Sequence, residues 1–448
     1  MKSVLIIPFN TDLNRGDQAL VWESIRLIRD VYEEPVNISL IESGNSKIEI
    51  EQQTQQTKLL GYHFCDPILR HPGRFFHDSS KQVDNGVMRL VKWGGIAFFD
   101  FCKTCLLLLK WKWINRLGYR MLSERAKETL QILKKADCVI VKGGGFIHAY
   151  GKVTDAYQMY YSTYTMLLAI RYKKQLIMLP NSIGPVKGFL SRYIVKKVLS
   201  GCKLLFVREK VSQRYLVEQF GRVAINTFDL GFYLQNKSTL NVTSYLEQQN
   251  INFDDKIIGI TLRPWRFPNS SNPHEKYNSY VSTFVDFTDY LIKKGFIICF
   301  FVHTLGPSAH ENDEIAVKEV VNKVQAKERC RIIKDFNLNC YDMMQLYSQC
   351  SYFIGTRFHS VIFAQNQNVP TISISYGGNK GTGIMADLGL SQYVLSIDEV
   401  EFSTLKNLFS SLEKNTDSYI EKLTERNLLL QEERLKLVTN IRKCLFSN

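Results

Sequence analysis

Short apolar runs punctuate the chain, and each closes in polar or glycine-rich residues before a helix-like segment begins. In the first half they are SVLIIPFN (3–10), VNISLI (36–41), CVIVKGGG (138–145), QLIMLPNSIGP (175–185) and LLFVRE (204–209). In the second half they are IIGITLRP (257–264), FIICFFVH (296–303), YFIGTRFH (352–359) and TISISY (371–376). Strand and helix signals in alternation predict βαβ units and parallel sheets. Several runs are apolar almost throughout, as strands covered by helices on both faces are.

The stretch between Tyr233 and Asp254 is polar and lacks a strand pattern, so it marks a domain boundary. Residues 1–240 are expected to form one α/β domain, 250–400 a second, and 401–448 a charged helical tail. In the tail, Leu405, Leu408 and Leu412, and then Leu428, Leu429 and Leu435, stand near helical spacing. Residues 42–125 read as an insertion in the first domain. Within it, 86–122 mixes Trp93, Phe98, Phe99, Phe101, Trp111 and Trp113 with Arg89, Lys92, Lys103, Lys110, Lys112, Arg116 and Arg120. Two readings stand for it: a helix lying in an anionic membrane interface, or a helical hairpin packed on its own domain. Its longest apolar run, Ile96 to Leu109, carries Asp100 and Lys103 and is too short to span a bilayer.

At 448 residues the chain is long enough for two cores. A formal charge of +14 favours anionic partners. Nucleic acid is not among those expected, because no nucleic-acid motif is present and the aromatics cluster in the insertion. The ten cysteines are scattered and read as buried thiols of a reducing compartment, and the Cys102–Cys105 spacing reads as packing. Met1 to Pro8 suits a first strand better than an export signal, so a cytoplasmic location is expected. There is no HExxH, no zinc-spaced Cys/His cluster and no GxSxG, so no metal is expected. The HENDE run (310–314) offers carboxylates, which a loop entering a helix explains equally well.

In open parallel sheets ligands bind beyond the carboxyl ends of the strands. In the second domain these ends carry Arg263, His303, Arg357 with His359, and Tyr376. In the first they carry Asn10, Gly143, Gly144 and Gly145, then Ser182 and Gly184, then Arg208 and Glu209. Asn14, Gly16 and Asp17 stand at the edge of that crevice, and Asp17 is placed to cap the following helix. The turn before HSVIFAQN presents helix-start N–H groups, Arg357 adds a planar fork, Arg263 a second, and Lys380 a point charge. A ligand with two anionic groups suits that set, and His359 is the side chain there able to exchange a proton near neutral pH.

The motifs NRGDQAL, KGGGF, SIGP, VREKVSQRYL, FDLGFYL, TLRPW, GPSAHENDE and IGTRFHSVIFAQNQNVPTISISYGGNKGTG, in this order, resemble the polysaccharide pyruvyl transferases over most of 1–400. His303 stands where a glutamine is common, and Asn181 where a glutamine often precedes SIGP. The resemblance implies two Rossmann-like α/β domains facing across a cleft, as in the B-type glycosyltransferases, with the helices of 401–448 packing back on the first domain. It implies phosphoenolpyruvate as donor substrate with no cofactor, and a sugar acceptor of a polysaccharide or lipid-linked oligosaccharide. By the family's pattern Arg357, His359 and Arg263 map onto donor-binding and catalytic positions. If 86–122 is interfacial, the protein is expected to lie peripherally on the inner face of the cytoplasmic membrane. The alternative enzyme is a B-type glycosyltransferase using a nucleotide sugar.

Overall fold

A computed structural model describes residues 1–75, 87–252, 254–308, 311–377 and 380–446. It divides into two compact units, one of Met1–Asp12, Leu20–Leu230 and Glu433–Asn448, the other of Leu13–Ala19 and Gly231–Glu432. The division differs from an unbroken first domain in one way that bears on chemistry. The seven residues Leu13–Ala19 group with the second unit, although both flanks belong to the first.

The first unit holds β1 (Lys2–Ile7), β2 (Val36–Ile41), β3 (His63–Cys65), β4 (Cys138–Val141), β5 (Gly144–Ala149), β6 (Gln175–Val186), β7 (Leu204–Val207) and β8 (Ile225–Asn226). The sheet runs β3-β2-β1-β4-β6-β7-β8, all parallel, with β5 paired to β6 off that path. Helices α1 (Arg15–Tyr32), α2 (Lys47–Leu59), α3 (Val87–Leu108), α4 (Lys112–Arg120), α5 (Glu124–Lys135) and α6 (Asp155–Arg171) follow in chain order. Because α2 leads into β3, which pairs with β2, residues 47–65 continue the sheet and are not insertion.

The insertion proper centres on α3 and α4. One face of α3 is buried, with Thr104 Oγ1 2.9 Å from the Tyr160 hydroxyl of α6 and Tyr164 donating to the Thr104 carbonyl at 3.0 Å. Asp100, on the same buried face, accepts from Arg74 at 2.6 Å. The opposite side leaves Phe98 at 69%, Trp111 at 67% and Trp113 at 70% exposed. The segment packs on its own domain by one face, as the hairpin reading has it, and presents exposed aromatic side chains to solvent. Gly86 lies outside the described residues.

The second unit holds β9 (Ile257–Thr261), β10 (Ile297–Phe301), β11 (Cys330–Ile333), β12 (Cys350–Gly355), β13 (Thr371–Ser375) and β14 (Val394–Ser396). Its parallel order is β11-β10-β9-β12-β13-β14, so the chain reverses its direction of winding between β9 and β12. That switch point is where a doubly wound sheet opens a crevice. The pairs Ile260–Phe300 and Thr261–Gly355 set the register, bringing Arg263, His303 and Arg357 out at one level. Each unit has its own apolar core. The final helix, Thr416–Phe446, buries Tyr419, Leu423, Leu437, Val438 and Ile441. Leu428, Leu429 and Leu435 are exposed, against the leucine spacing read from the sequence.

Candidate active site

The second unit assembles a charged cluster at its switch point. The turn after β12 is pinned to β9: Thr356 N donates to Thr261 Oγ1 at 3.1 Å, Thr356 Oγ1 to the Thr261 carbonyl at 2.9 Å, and Arg357 N to Thr261 Oγ1 at 3.5 Å. The Thr356 and Arg357 amides are thus engaged, rather than open to an anion as expected. Arg357 N-caps the buried helix Phe358–Asn366, placing His359 in its first turn.

Both arginines carry internal counterions. Arg357 is buried and donates to Asp313 Oδ1 from Nε at 2.9 Å and Nη2 at 2.7 Å, and from Nη1 to Glu311 Oε2 at 3.1 Å. Arg263 Nη2 donates to the other oxygen, Glu311 Oε1, at 3.1 Å. One carboxylate therefore sits between two guanidiniums, the arrangement a carboxylate or phosphate ligand would take there. The Arg263 guanidinium lies over Tyr376 at 4.2 Å and near Trp265 at 4.9 Å, and its Nε is buried with no partner. Burial pushes Asp313 up to about 6 despite Arg357, while Asp313 and Glu311 hold Arg357 above its ordinary value.

His303 ends the adjacent strand. Its Nδ1 is 2.9 Å from the Tyr347 hydroxyl, its ring meets Phe363 at 5.4 Å, and its buried Nε2 has no partner. Burial, with His359 and Arg357 nearby, holds its pKa well below the ordinary 6.5, so it is neutral. His359 is the more exposed of the two imidazoles.

The NRGD motif belongs to this cluster. Asn14 bridges to Thr304, Leu305 N donates to the Leu13 carbonyl at 2.8 Å, and Arg15 N to the His303 carbonyl at 3.2 Å. Arg15 Nη2 reaches the carbonyls of Asp335 and Phe336 at 3.2 and 3.3 Å. Asn14, not Asp17, caps α1: its Oδ1 accepts from Gly16 N at 3.0 Å and Asp17 N at 3.3 Å. Gly16 packs directly on His359, for a Cβ there would stand 2.3 Å from Nδ1 and 2.6 Å from its Cβ. Asn14 and Gly16 thus serve the second unit's site, against their expected place at the first domain's crevice.

The first-unit candidates form a different object. Arg208 is buried, pairs with Asp229 and donates from Nε to Ser182 Oγ at 2.8 Å. Ser182 Oγ donates to Glu209 at 3.0 Å, and Ser212 Oγ donates to the same carboxyl. Ile183 N donates to Ser212 Oγ at 2.8 Å, closing a clasp that holds the SIGP turn. Gly184, at φ 97°, has the Tyr215 ring where a Cβ would lie, 2.6 Å away. Gly143 is packed against the Pro180 carbonyl, and Gly144 and Gly145 begin β5 rather than form a turn. Arg208 and Glu209, expected to bind substrate, are internal and mutually satisfied. Asn181 gives both amide protons to the carbonyls of Lys142 and Leu179, leaving its buried Oδ1 without a partner.

A model of the polysaccharide pyruvyl transferase family matches residues 14–378. The chain belongs to that family. Pyruvyl transferases thus supply the frame for the Arg-x-His cluster and the NRGD loop, which both lie in the matched region. A curated relative is the amylovoran biosynthesis protein AmsJ of Erwinia amylovora, 27% identical over 275 residues, 60% of this chain. The match spans 63% of that protein. Among solved structures, a UDP-GlcNAc 2-epimerase from Neisseria meningitidis aligns at TM-score 0.57 and 13% identity, covering 99% of this chain and 100% of its own. A glycosyltransferase from Rickettsia africae aligns at TM-score 0.54 and 11% identity over 100% and 99%. These likenesses show the fold class, paired Rossmann-like α/β domains of the B-type glycosyltransferase kind.

The sequence named the HENDE carboxylates, Glu311 and Asp313 among them, but did not place them at this cluster. HENDE reads as acidic, and nothing local says that its carboxylates meet arginines some fifty residues away on either side. His310 of that run, and Gly378 and Asn379 before Lys380, lie outside the described residues; Lys380 begins the helix Lys380–Asp387. Among the described residues no three His, Cys, Asp or Glu side chains are grouped to hold a metal ion.

Proposed function

We propose that this pyruvyl transferase uses phosphoenolpyruvate, forming a pyruvate ketal across two hydroxyls of one sugar residue. The observation that supports it is the carboxylate of Glu311 held between Arg263 and Arg357, with His359 in the first turn of the helix that Arg357 begins. Phosphoenolpyruvate brings a carboxylate and a phosphate to such a place. One proton goes to its methylene carbon, and a sugar hydroxyl adds to the central carbon. Phosphate departs, and a second hydroxyl closes the ketal. Two hydroxyl protons are released, one matching the proton now on the methyl group and the other leaving on hydrogen phosphate. The arginines stabilise the departing phosphate. His359 is the acid/base, since neutral, buried His303 is poorly placed to carry a proton. Tyr376, whose ring lies against the Arg263 guanidinium, completes the donor side.

The acceptor is a sugar of a polysaccharide or lipid-linked oligosaccharide, met at the inner face of the cytoplasmic membrane. No described helix is long and apolar enough to cross a membrane. Peripheral contact through 86–122 is supported by the exposed face of α3 and α4. Lys92, Lys110, Lys112, Arg116 and Arg120 are exposed there beside the aromatics, and the one acidic residue from Val87 to Ser123, Asp100, is buried.

The test is phosphate release from phosphoenolpyruvate with a panel of oligosaccharide acceptors, in wild type and His359→Ala. Turnover should vanish in the variant while phosphoenolpyruvate still raises its melting temperature. Undiminished turnover in His359→Ala, with activity lost only on chelation, contradicts the assignment.

A further inference from the structure

A cleft of about 410 Å³ opens in the first unit between the middle of α3, the end of α4 and the start of α5. Its walls carry Arg70, Arg74, Lys103 and Arg125 against Asp66, Asp100 and Glu124. The four cations share two aspartates. Asp66 takes Arg70 and, at 3.7 Å, Arg125; Asp100 takes Arg74 at 2.6 Å and Lys103 at 3.4 Å. Glu124 is turned outward to Lys127 at 2.6 Å. Arg125 keeps 68% of its side chain exposed, so it is held only loosely. The first turn of α5, capped by Ser123, forms one wall and adds the positive end of a helix dipole.

The surroundings say what kind of anion reaches this cleft. Lys103, which lines the cleft, stands one helical turn along α3 from exposed Phe99, on the side of the helix where the buried face gives way to the exposed one. The cleft therefore flanks the aromatic, cationic face of α3 and α4. A soluble metabolite has no use for exposed tryptophans, whereas a membrane lipid offers them an interface and brings a phosphate at the depth of its headgroup.

We infer that the cleft binds the phosphate of a membrane lipid while the α3–α4 face rests in the bilayer interface. The inference rests on the membrane contact proposed above and adds a defined phosphate site to it. Lys103 and Arg125 supply the charge that is least committed, Arg74 and Arg70 the fixed wall.

The experiment is co-sedimentation of the full chain with vesicles of phosphatidylcholine alone and of phosphatidylcholine with phosphatidylglycerol. Three double variants are compared: Trp111→Ser/Trp113→Ser on the face, Lys103→Gln/Arg125→Gln in the cleft, and Lys110→Gln/Lys112→Gln on the face but outside the cleft. Circular dichroism confirms that each is folded. Wild type should bind the anionic vesicles only. The tryptophan pair should release it. The outer lysine pair should weaken binding about thirty-fold, roughly 1 kcal/mol for each charge near an anionic surface, and the cleft pair, with the same charge removed, several-fold more. Equal losses for the two charge pairs would overturn the phosphate site and leave only a diffuse field. Failure of wild type to bind any vesicle would overturn the membrane contact, and the lipid site with it. Stabilisation by inorganic pyrophosphate in solution, lost in the cleft pair without any vesicle binding, would assign the cleft to a soluble phosphate.

Discussion

Gly16 offers the most exact perturbation of the site, because it touches His359 without carrying chemistry. Built on its backbone, a Cβ would lie 2.3 Å from His359 Nδ1, 2.5 Å from Cγ and 2.6 Å from the histidine's own Cβ. The last contact matters most, since rotating the imidazole away does not relieve it. Gly16→Ala must therefore separate the start of α1 from the helix Phe358–Asn366, or move His359 off its position. Overpacking of this kind costs about 1–3 kcal/mol. Alanine in the first turn of a helix returns up to ~1 kcal/mol over glycine. The net loss expected is ~1–2 kcal/mol, with loss of turnover well beyond what that stability change explains. The penalty should shrink, though not vanish, once the imidazole is gone. In a His359→Ala background the alanine at 16 loses its clashes with Nδ1 and Cγ but still meets the remaining methyl at 2.6 Å, so part of the destabilisation should persist. Urea denaturation of wild type, both single variants and the double variant gives the coupling directly. Equal destabilisation by Gly16→Ala in the two backgrounds refutes the packing of the NRGD loop on His359.

Other outcomes follow from the charges. Glu311→Gln removes the internal anion between Arg263 and Arg357, so inorganic phosphate and phosphoenolpyruvate should bind about tenfold tighter, ~1–2 kcal/mol after allowance for Glu311's 31% exposure; weaker binding, read by calorimetry, means that Glu311 positions the arginines instead. Arg208→Ala should cost roughly 3–5 kcal/mol by stranding buried Asp229, measured by chemical denaturation, with the SIGP turn the first backbone to lose hydrogen-exchange protection. Glu209 carries a pH signature, because burial pushes its carboxyl up from the ordinary 4.5 to about 7. The native state then holds a proton that the unfolded chain has released, so this contribution is complete below pH 4.5 and lost as pH rises through about 7. Across that window Glu209→Gln should remove a fall in stability of roughly 3 kcal/mol, and an unchanged slope of melting temperature against pH contradicts the raised value.

The central strands of both sheets could be read from the chain because they are continuous apolar runs that end in turn residues. The edge strands β3, β8, β11 and β14 could not. They are two to four residues long, and half-exposed edges need little apolar pattern. The Arg-x-His turn and Arg263 were visible because a parallel sheet delivers its strand ends to one rim, and the register of β9, β10 and β12 does so here. The place of Glu311 and Asp313 was not, since their pairing is made in three dimensions between segments with no common periodicity. The NRGD loop was legible as a motif but misplaced, because chain order assigns it to the first domain while its backbone pairs with Thr304 and His303. For Arg208 and Glu209 the strand-end rule misled. It finds polar residues at a rim and cannot tell a ligand contact from a clasp satisfied by Ser182, Ser212 and Asp229.

The donor is the claim on which the functional account turns, and Arg263 is the side chain to change. Arg357→Ala would strand buried Asp313 and risk the fold, whereas loss of Arg263 leaves both carboxylates paired with Arg357. Melting shifts should be measured with phosphoenolpyruvate and with a panel of nucleotide sugars, in wild type and Arg263→Ala. Stabilisation by phosphoenolpyruvate in wild type, absent from Arg263→Ala and not reproduced by any nucleotide sugar, is the predicted result. Stabilisation by a nucleotide sugar alone would contradict it and make the site that of a glycosyltransferase.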